Sequence, residues 1–251
     1  MNPRARTLVF LVAAAGFGVF LLWGFSGLPS FGTAHSSYAI LLNAASVRER
    51  HITDVVTAVN FDYRGVDTMG EEFIFFAAVT GVLLLLRPQH DEGPGHVADM
   101  ATGRHVPPTS DAVRILGLAL VGPTILFGIY VVAHGHLTPG GGFQGGVILA
   151  TGVLLIYLAG EYDHLKGLYP TSFVETGEAI GAGAYVVIGL AGLLTGAAFL
   201  DNVLPLGRIG QLNSAGIVPL IDVAVGVEVA AGFVLLLSAF LEQTLVLRRK
   251  P

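Results

Sequence analysis

The sequence predicts an all-α integral membrane protein: a bundle of six transmembrane helices plus a short amphipathic helix at the surface. Of its 251 residues, 53% are apolar and only 12% are charged, against roughly 25% charged in soluble domains. The mean hydropathy is +0.71. Apolar runs suited to crossing a bilayer recur along the chain. Since so little polar sequence lies outside these runs, we expect no soluble catalytic domain.

Composition also narrows the classes of function. The chain has no cysteine, which rules out disulfides and thiolate metal sites. Its net charge of -5 is spread over loops without a basic stripe, so we expect no nucleic-acid partner. No nucleophile–base pair, metal-ligand cluster or cofactor fingerprint stands out. We therefore expect a protein that is not an enzyme and binds no metal or cofactor.

The first apolar run extends from Leu8 to Phe25 and follows Arg4 and Arg6. A secretory signal also begins with positive charge, but its apolar core is roughly 7–15 residues long and precedes a small-residue cleavage site. This run has 18 residues and no such site. It therefore predicts an uncleaved first transmembrane helix.

A more polar region follows, in which four apolar residues recur at the spacing of one helical face: Ile52, Val55, Val56 and Val59. Thr53 and Thr57 are among the polar residues of the opposite face. This segment is too short and too polar to span a membrane. It predicts an amphipathic helix that lies along the membrane surface or against a neighbouring subunit, or docks on its own chain.

The second apolar run, Phe73 to Leu86, has 14 residues. That length covers about 21 Å of a hydrocarbon core about 30 Å thick. The helix must start earlier, and we expect Thr68 to cap it, with Glu71 completing a capping box. Glu71 and Glu72 would then reach the edge of the hydrocarbon. Alternatively, both carboxylates simply favour the positive end of the helix dipole.

A proline-rich linker, residues 91–110, is the expected domain boundary. It separates residues 1–90, with two transmembrane helices and the amphipathic helix, from residues 111–251, with four. The four later runs lie at about 113–133, 143–160, 179–200 and 217–241. We expect Glu175 and Glu178 to lie at the solvated start of the fifth helix.

The stretch from Gly135 to Gly146 is rich in glycine and predicts a tight reversal between two membrane helices. It is not a phosphate loop, because no Lys-Ser/Thr pair follows the glycines. Part of it must be helical or buried against protein, since lipid cannot satisfy an irregular backbone. Its motif residues are Pro139, Gly140, Gly141, Gly142, Gln144, Gly145 and Gly146.

Ionisable residues inside the apolar runs are candidates for an ion or proton path, because each costs roughly 2.5–3.5 kcal/mol at a helix centre. Glu228 lies near the middle of the last run. Asp222 lies six residues earlier, about 240° around the helix, so the two carboxylates do not share a face. The alternatives are an interfacial position near the helix start after Pro219 for Asp222, and a structural hydrogen-bonding role for Glu228.

His134 and His136 flank Gly135. Being two residues apart, they cannot share a helical face as a metal-binding pair would. We expect residues of the turn or of an interface, with a proton relay as the alternative.

Six spans place both termini on one side of the membrane. That side would hold nine Lys and Arg residues: Arg4, Arg6, Arg87, Arg104, Arg114, Lys166, Arg248, Arg249 and Lys250. The other side would hold four: Arg48, Arg50, Arg64 and Arg208. The positive-inside rule therefore predicts cytoplasmic termini and an outward-facing glycine hairpin.

The motifs resemble a known family. The run from Gly122 to Tyr130, the glycine hairpin and the run from Pro219 to Gly232 resemble the B subunit (MnhB type) of Mrp multisubunit sodium/proton antiporters. The run from Asp54 to Glu71 resembles the MbhE-like C-terminal part of their A subunit, which also occurs in membrane-bound hydrogenases. The chain is similar to a fusion of the two.

The resemblance implies an accessory, multi-pass subunit in the cell (inner) membrane. Its partners would be other antiporter subunits and membrane lipid, and the complex would exchange cytoplasmic Na+ for external H+. Glu71 matches a carboxylate considered important for transport, with Met69 in place of a leucine, and Pro139 matches the hairpin proline. Glu71, Glu228, Asp222, His134 and His136 are the candidate path residues. A subunit of a hydrogenase or other complex I-related pump, and an assembly scaffold, are the alternatives.

Overall fold

The computed structural model describes residues 3–30, 32, 36–86, 110–159 and 171–246, and the regular structure in these ranges is helical. Most of the linker at 91–110 lies outside the described residues. The helices, in chain order, are α1 (Pro3–Ser26), α2 (Ser37–Arg50), α3 (Val55–Ala58, continued by a π-helical turn, Val59–Tyr63), α4 (Gly65–Leu86), α5 (Asp111–Ala133), α6 (Gly142–Ala159), α7 (Thr171–Leu194) and α8 (Val218–Val246).

Within the described ranges, six helices are long and apolar enough to cross a membrane: α1 and α4 to α8. The prediction of an all-α membrane protein with six transmembrane helices is confirmed. The chain divides into two compact units, Met1–Leu41 and Leu42–Pro251. The first unit contains α1, which forms a continuous apolar helix of 24 residues. The sequence pattern did not predict α2, whose buried residues are Leu42, Ala45 and Ser46.

The second unit is built around α8. In the most apolar stretch of α8, 61% of the residues are buried. The corresponding fraction in each of the other spans is 33% or less. Helix α8 packs extensively on α6 and α7 and less extensively on α4, while α5 packs mainly on α6. Ile221, Val225 and Val229 recur every four residues along α8 and are fully buried. A helix that is apolar on nearly all sides is typical of a bundle centre.

Three segments meet at one end of this unit, and we call them the cap: residues 50–64, the hairpin at 134–141, and the loop at 195–217. The backbone N–H groups of Thr53 and Asp54 donate to the carbonyl of His136 at 3.1 and 3.3 Å. The Thr57 hydroxyl donates to the carbonyl of Gly135 at 2.7 Å, and that of Thr53 to the carbonyl of Leu137 at 2.6 Å. These bonds join the N-terminal third of the chain to the hairpin.

The amphipathic segment docks on its own chain, as one of the alternatives proposed. Its predicted apolar face is only partly right, since Ile52 is fully buried but Val56 is not. Asp54 caps α3 by accepting from the Thr57 N–H at 2.9 Å. Val56 is 63% exposed, while Thr57, Ala58 and Phe61 are buried. The helix has only one α-helical turn before it becomes π-helical. The α-helical repeat of 3.6 residues per turn therefore does not predict which side of this segment is buried. Hydrogen bonds to the hairpin determine that side instead.

The starts of two spans also differ from the predictions. Helix α4 begins at Gly65, so Thr68 lies inside it and forms no capping box. The N-cap residue of a helix needs extended backbone. Here the π-helical turn leads through Arg64 directly into α4. Helix α7 begins at Thr171, about eight residues before the predicted start. Glu178 therefore lies two turns inside the helix and is buried, not at a solvated end.

Candidate functional site: three buried glutamates

Three helices bring glutamates into the interior of the bundle: Glu72 from α4, Glu178 from α7 and Glu228 from α8. Their exposed fractions are 5%, 4% and 0%. Both α4 and α7 pack on α8, so the side chains that face α8 come together around it. We call Glu72, Glu178 and Glu228 the acidic set.

Two glycines allow the helices that carry the acidic set to approach closely. A Cβ atom on Gly181 of α7 would lie 2.6 Å from the backbone nitrogen and 2.7 Å from the Cβ of Glu228. A Cβ atom on Gly232 of α8 would lie 2.6 Å from the ring of Phe75, one turn from Glu72, and 3.2 Å from Oε1 of Glu178. The backbones of α7 and α8, and the Phe75 ring of α4, therefore meet where the carboxylates lie.

The acidic set has few hydrogen-bond partners. Neither carboxylate oxygen of Glu228 has a partner among the described residues, nor do Oε2 of Glu72 and Oε1 of Glu178. The ion pairs within the described ranges involve Asp62, Asp67 and Glu49 instead. A buried, unpaired carboxylate is costly, so the charge of the set must be compensated by protons or cations.

Tyr185 connects the acidic set to the cap. It is 1% exposed, and its hydroxyl donates to the carbonyl of Gly65, at the start of α4, at 2.9 Å. It lies seven residues after Glu178, so both side chains are on the same face of α7. Tyr185 thus lies between the polar cap and the buried carboxylates.

Asp222 is fully buried but has a different environment from Glu228. Its Oδ1 accepts a hydrogen bond from the N–H of Gly142 at 2.9 Å, and Gly142 is the first residue of α6. A helix N-terminus offers free N–H donors and a favourable dipole for a carboxylate. Asp222 therefore anchors the start of α6 to α8. No described residue hydrogen-bonds to its Oδ2.

The hairpin glycines make contacts within the chain. A Cβ on Gly146 would lie 2.8 Å from the Cβ of Val229, and one on Gly145 would lie 2.9 Å from the backbone nitrogen of Val132. These glycines let α6 approach α8 and α5. The prediction that part of the cluster is helical is confirmed, since α6 starts at Gly142.

Pro139, Gly140 and Gly141 lie in the cap, and Gln144 lies in the first turn of α6. Gly140 and Gly141 have φ angles of +153° and +120°, which favour glycine. Pro139 and Gln144 are exposed.

The two histidines contact different groups. His136 is fully buried, and its Nε2 lies 3.3 Å from the carbonyl oxygen of Gln211. Burial lowers the pKa of His136 from its usual 6.5. His134 is half-buried and stacks on Tyr130, with ring centroids 4.0 Å apart. Both therefore have structural contacts in the cap, and neither belongs to the acidic set.

Glu71 is exposed, whereas its neighbour Glu72 is buried. The structure brings Glu228 together with Glu72 and Glu178, and it does not bring Glu71 into this group. A signal for Glu72 exists in the sequence: Gly65, Thr68, Glu72 and Val79 share one face of α4 at three-, four- and seven-residue spacing. Glu178 and Tyr185 share a face of α7 in the same way.

Across the part of the chain that the structure describes, no three His, Asp or Glu residues are arranged to hold a metal ion. The fold and the acidic set define the class of protein: a multi-pass membrane subunit with ionisable groups in its interior.

Sequence comparisons agree with this class. A family described as "Domain related to MnhB subunit of Na+/H+ antiporter" matches residues 112–235. The uncharacterised protein MJ1307 of Methanocaldococcus jannaschii is 31% identical over 85% of this chain and 86% of its own length. The B subunit of the Na(+)/H(+) antiporter of Bacillus subtilis is 36% identical over 31% of this chain and 54% of its own length.

Two solved structures share the fold over nearly the whole chain. A chain of the membrane-bound sulfane sulfur reductase (MBS), an archaeal respiratory membrane complex, matches with a TM-score of 0.70 and 30% identity, over 94% of this chain and 98% of that one. A chain of the Mrp complex from Dietzia sp. DQ12-45-1b matches with a TM-score of 0.72 and 26% identity, over 95% of this chain and 26% of that one.

This chain belongs to the MnhB family. It is a membrane subunit of the kind found in Na+/H+ antiporters, and its structural relatives work in multisubunit membrane complexes.

Proposed function

We propose that the chain is an accessory subunit of a multisubunit sodium/proton antiporter in the cell membrane, and that the acidic set forms part of its path for H+ or Na+. One observation carries this proposal: Glu228 is fully buried and has no described hydrogen-bond partner, and the two helices that pack on α8 beside it each carry a further buried glutamate, Glu72 and Glu178. The chain catalyses no chemical reaction of its own, and the other subunits and the surrounding lipid complete the transporter.

In this proposal, the protons or cations that compensate the charge of the acidic set are bound and released in turn. A proton or cation that reaches the cap passes Tyr185 and is held by Glu72, Glu178 or Glu228. Asp222 keeps α6 and the hairpin in place, so that α8 presents Glu228 at a fixed depth. The surrounding helices exclude bulk water, which strengthens the attraction between these carboxylates and a cation.

Glu228→Gln in the assembled complex tests the ion path, because glutamine keeps the size of the side chain but cannot carry the charge. We expect pH-dependent sodium extrusion in membrane vesicles to fall by about a hundredfold, as for loss of a proton-transfer group, with normal assembly of the complex. Glu175→Gln is the matched control, since Glu175 is an exposed glutamate of α7.

Unchanged sodium extrusion in Glu228→Gln would remove the acidic set from the ion path. Loss of the complex itself would favour the alternative of an assembly scaffold, in which the buried carboxylates serve contacts alone. Separate substitutions of Glu72 and Glu178, scored for both assembly and transport, distinguish the two roles for each residue.

We further propose that both termini are cytoplasmic and that the cap faces outward. The asymmetry of nine against four basic residues supports this orientation. A reporter enzyme fused after Pro251 is expected to be active only in the cytoplasm. Activity of that fusion outside the cell would reverse the orientation and place the cap on the inner side.

A second candidate is a subunit of a respiratory complex in which a redox reaction drives ion pumping. The observation that favours it is the match to a chain of the sulfane sulfur reductase complex over 98% of that chain's length. Purifying the complex and identifying the co-migrating subunits decides between the two. Redox subunits would support the respiratory complex, and antiporter subunits alone would support the antiporter.

A further inference from the structure

A cavity of about 380 Å³ lies in the cap, between the end of α2, the start of α4 and the loop after α7. All of its lining residues belong to the second compact unit. Five of them are charged: Arg50, Asp62, Arg64, Asp67 and Asp201. Three acids against two bases give a net negative charge, which attracts cations. We call this space the polar cavity.

The inner end of the polar cavity lies next to Tyr185. Gly65 lines the cavity, and its carbonyl accepts the hydrogen bond of the Tyr185 hydroxyl at 2.9 Å. Glu72 lies seven residues after Gly65, and Glu178 lies seven residues before Tyr185. Because α4 runs away from the cap and α7 runs towards it, both glutamates lie about 10 Å deeper than this hydrogen bond. The polar cavity and the acidic set are therefore about two helical turns apart along both helices.

Leu200 fills space between the polar cavity and Tyr185. It lines the cavity but is only 7% exposed. A Cβ atom on Gly65 would lie 3.2 Å from Cδ1 of Leu200 and 3.8 Å from the Tyr185 hydroxyl. A Cβ atom on Gly189 of α7 would lie 3.1 Å from Cδ2 of Leu200. The two glycines therefore leave just enough room for the leucine side chain beside Tyr185.

The backbone of Leu200 has an unfavourable conformation. Its φ angle is +63°, in the left-handed region that residues with a Cβ atom rarely adopt. Its N–H donates to the carbonyl of Gly189 at 3.0 Å, which holds the loop on α7. Strain of this kind persists only where the surrounding structure imposes it, and it clusters at functional sites. Glycine would adopt this φ angle without strain, so the turn itself does not require a leucine here.

We propose that the polar cavity is the entrance of the ion path on the cap side, and that the side chain of Leu200 is the barrier between this entrance and the acidic set. The inference rests on the proposed function, because it needs the acidic set to exchange protons or cations. An apolar side chain in a narrow polar path blocks ions by excluding water. A hydrated ion in the polar cavity therefore reaches Tyr185 only when Leu200 moves aside.

Thiol accessibility in the assembled complex, in membrane vesicles, tests the entrance and the barrier. The chain has no cysteine of its own, so one introduced thiol reports one position. Ala198→Cys places a thiol in the wall of the polar cavity. Ala182→Cys places one between Tyr185 and Glu178 on the same face of α7, where the alanine is 6% exposed.

The reagent is a cationic, membrane-impermeant methanethiosulfonate, added on the side of the membrane where the reporter fusion places the cap. Mass spectrometry of this subunit measures the rate of modification. We expect Ala198→Cys to react at least about tenfold faster than Ala182→Cys, because water does not pass the apolar barrier.

Leu200→Gly removes the barrier side chain and suits the φ angle of +63°. Combined with Ala182→Cys, it should speed modification by about tenfold or more, because the polar cavity then reaches Tyr185. Leu200→Met keeps the bulk of the side chain and should keep the slow rate. Leu204→Ala is the matched control: Leu204 lies in the same loop, is 41% exposed and does not line the cavity, so the rate should not change.

Ala150→Cys distinguishes a barrier from general loosening of the bundle. Ala150 is 2% exposed and lies on α6, outside the lining of the polar cavity. With Leu200→Gly, a thiol at this position should stay protected. If it becomes as reactive as the thiol of Ala182→Cys, the variant has loosened the fold, and Leu200 is not a specific barrier.

Two results need no Leu200 variant and would also overturn the proposal. An unreactive Ala198→Cys would show that the polar cavity is closed to water on the cap side. Equally fast modification of Ala198→Cys and Ala182→Cys would show that no barrier separates the two positions. Thiol modification requires no transport, so these outcomes are distinguishable from failure of the ion path, which the sodium extrusion of Glu228→Gln measures.

Discussion

At the scale of single residues, surroundings decide what a buried carboxylate does. Asp222 and Glu228 lie on the same helix and are both fully buried. Asp222 accepts a hydrogen bond from the first N–H of α6, so its charge contributes to holding the hairpin. Neither carboxylate oxygen of Glu228 has a hydrogen-bond partner among the described residues. The first arrangement is typical of a structural anchor, and the second of a group that exchanges a proton or cation.

His136 gives a prediction for the dependence of stability on pH. Burial is the main cause of its lowered pKa, and the nearby charge of His134 acts in the same direction. Above pH 6.5 the imidazole is neutral in both folded and unfolded chains. As the pH falls below 6.5, the unfolded state takes up a proton first, so stability is lost progressively towards the lower pKa of the folded state.

We therefore expect His136→Gln, whose amide can still donate to Gln211, to show a smaller fall in melting temperature between pH 7.5 and pH 5.5 than the unaltered protein. Thermal unfolding of the detergent-solubilised protein measures this. If His136→Gln loses as much stability on acidification as the unaltered protein, protonation of His136 is not the cause.

At the scale of helices, glycines set the distances between α6, α7 and α8. The contacts of Gly146 with Val229 and of Gly181 with Glu228 leave no room for a methyl group. Their effect is to bring α6 and α7 close to α8, which is why the central helix is so fully buried. The position of the acidic set therefore depends on glycines, which have no functional side chain of their own.

Two glycines of the same helix make this testable. Gly181→Ala should destabilise the protein by about 1–3 kcal/mol, because the added methyl group overlaps backbone atoms of α8. Gly183→Ala is the matched control: a Cβ there meets nothing within 4 Å, so its effect should stay below about 1 kcal/mol. Thermal unfolding in detergent compares them. Equal stabilities for the two variants would show that α7 and α8 are not in close contact at Gly181.

At the scale of the whole molecule, packing joins the two sides of the proline-rich linker. Helix α4 packs on α7 and α8, and Thr53 and Thr57 donate to the hairpin. The described residues from 42 onward accordingly fall in one compact unit. The structural relative from the Mrp complex matches 95% of this chain within one polypeptide, so both sides of the linker also occur together in that protein.

A protease site placed in the linker at 91–110 tests whether the two sides of the linker stay associated through these contacts. After cleavage, we expect the two fragments to co-elute in mild detergent. The double variant Thr53→Val/Thr57→Val should weaken their association by about 2 kcal/mol, at about 1 kcal/mol for each lost hydrogen bond, and should lower the temperature at which they separate. Thr176→Val, which removes only a bond within α7, is the control. Fragments that separate at once would contradict the proposed union.

The sequence by itself determined the number of spans, the all-helical class, the glycine hairpin and the burial of Glu228. Each of these follows from local properties: the length of an apolar run against the thickness of a bilayer, or a charge far from either end of a run. The family resemblance also came from local motifs, and the comparisons confirm it.

Only the tertiary structure decided which acids face inward. Glu71 and Glu72 are adjacent, and neighbouring residues on a helix point about 100° apart. Which of the two is buried therefore depends on which face of α4 packs on α8. The burial of Glu178 and the one-turn length of α3 have the same origin: a helix ends, and a face is covered, where distant segments supply contacts and hydrogen bonds.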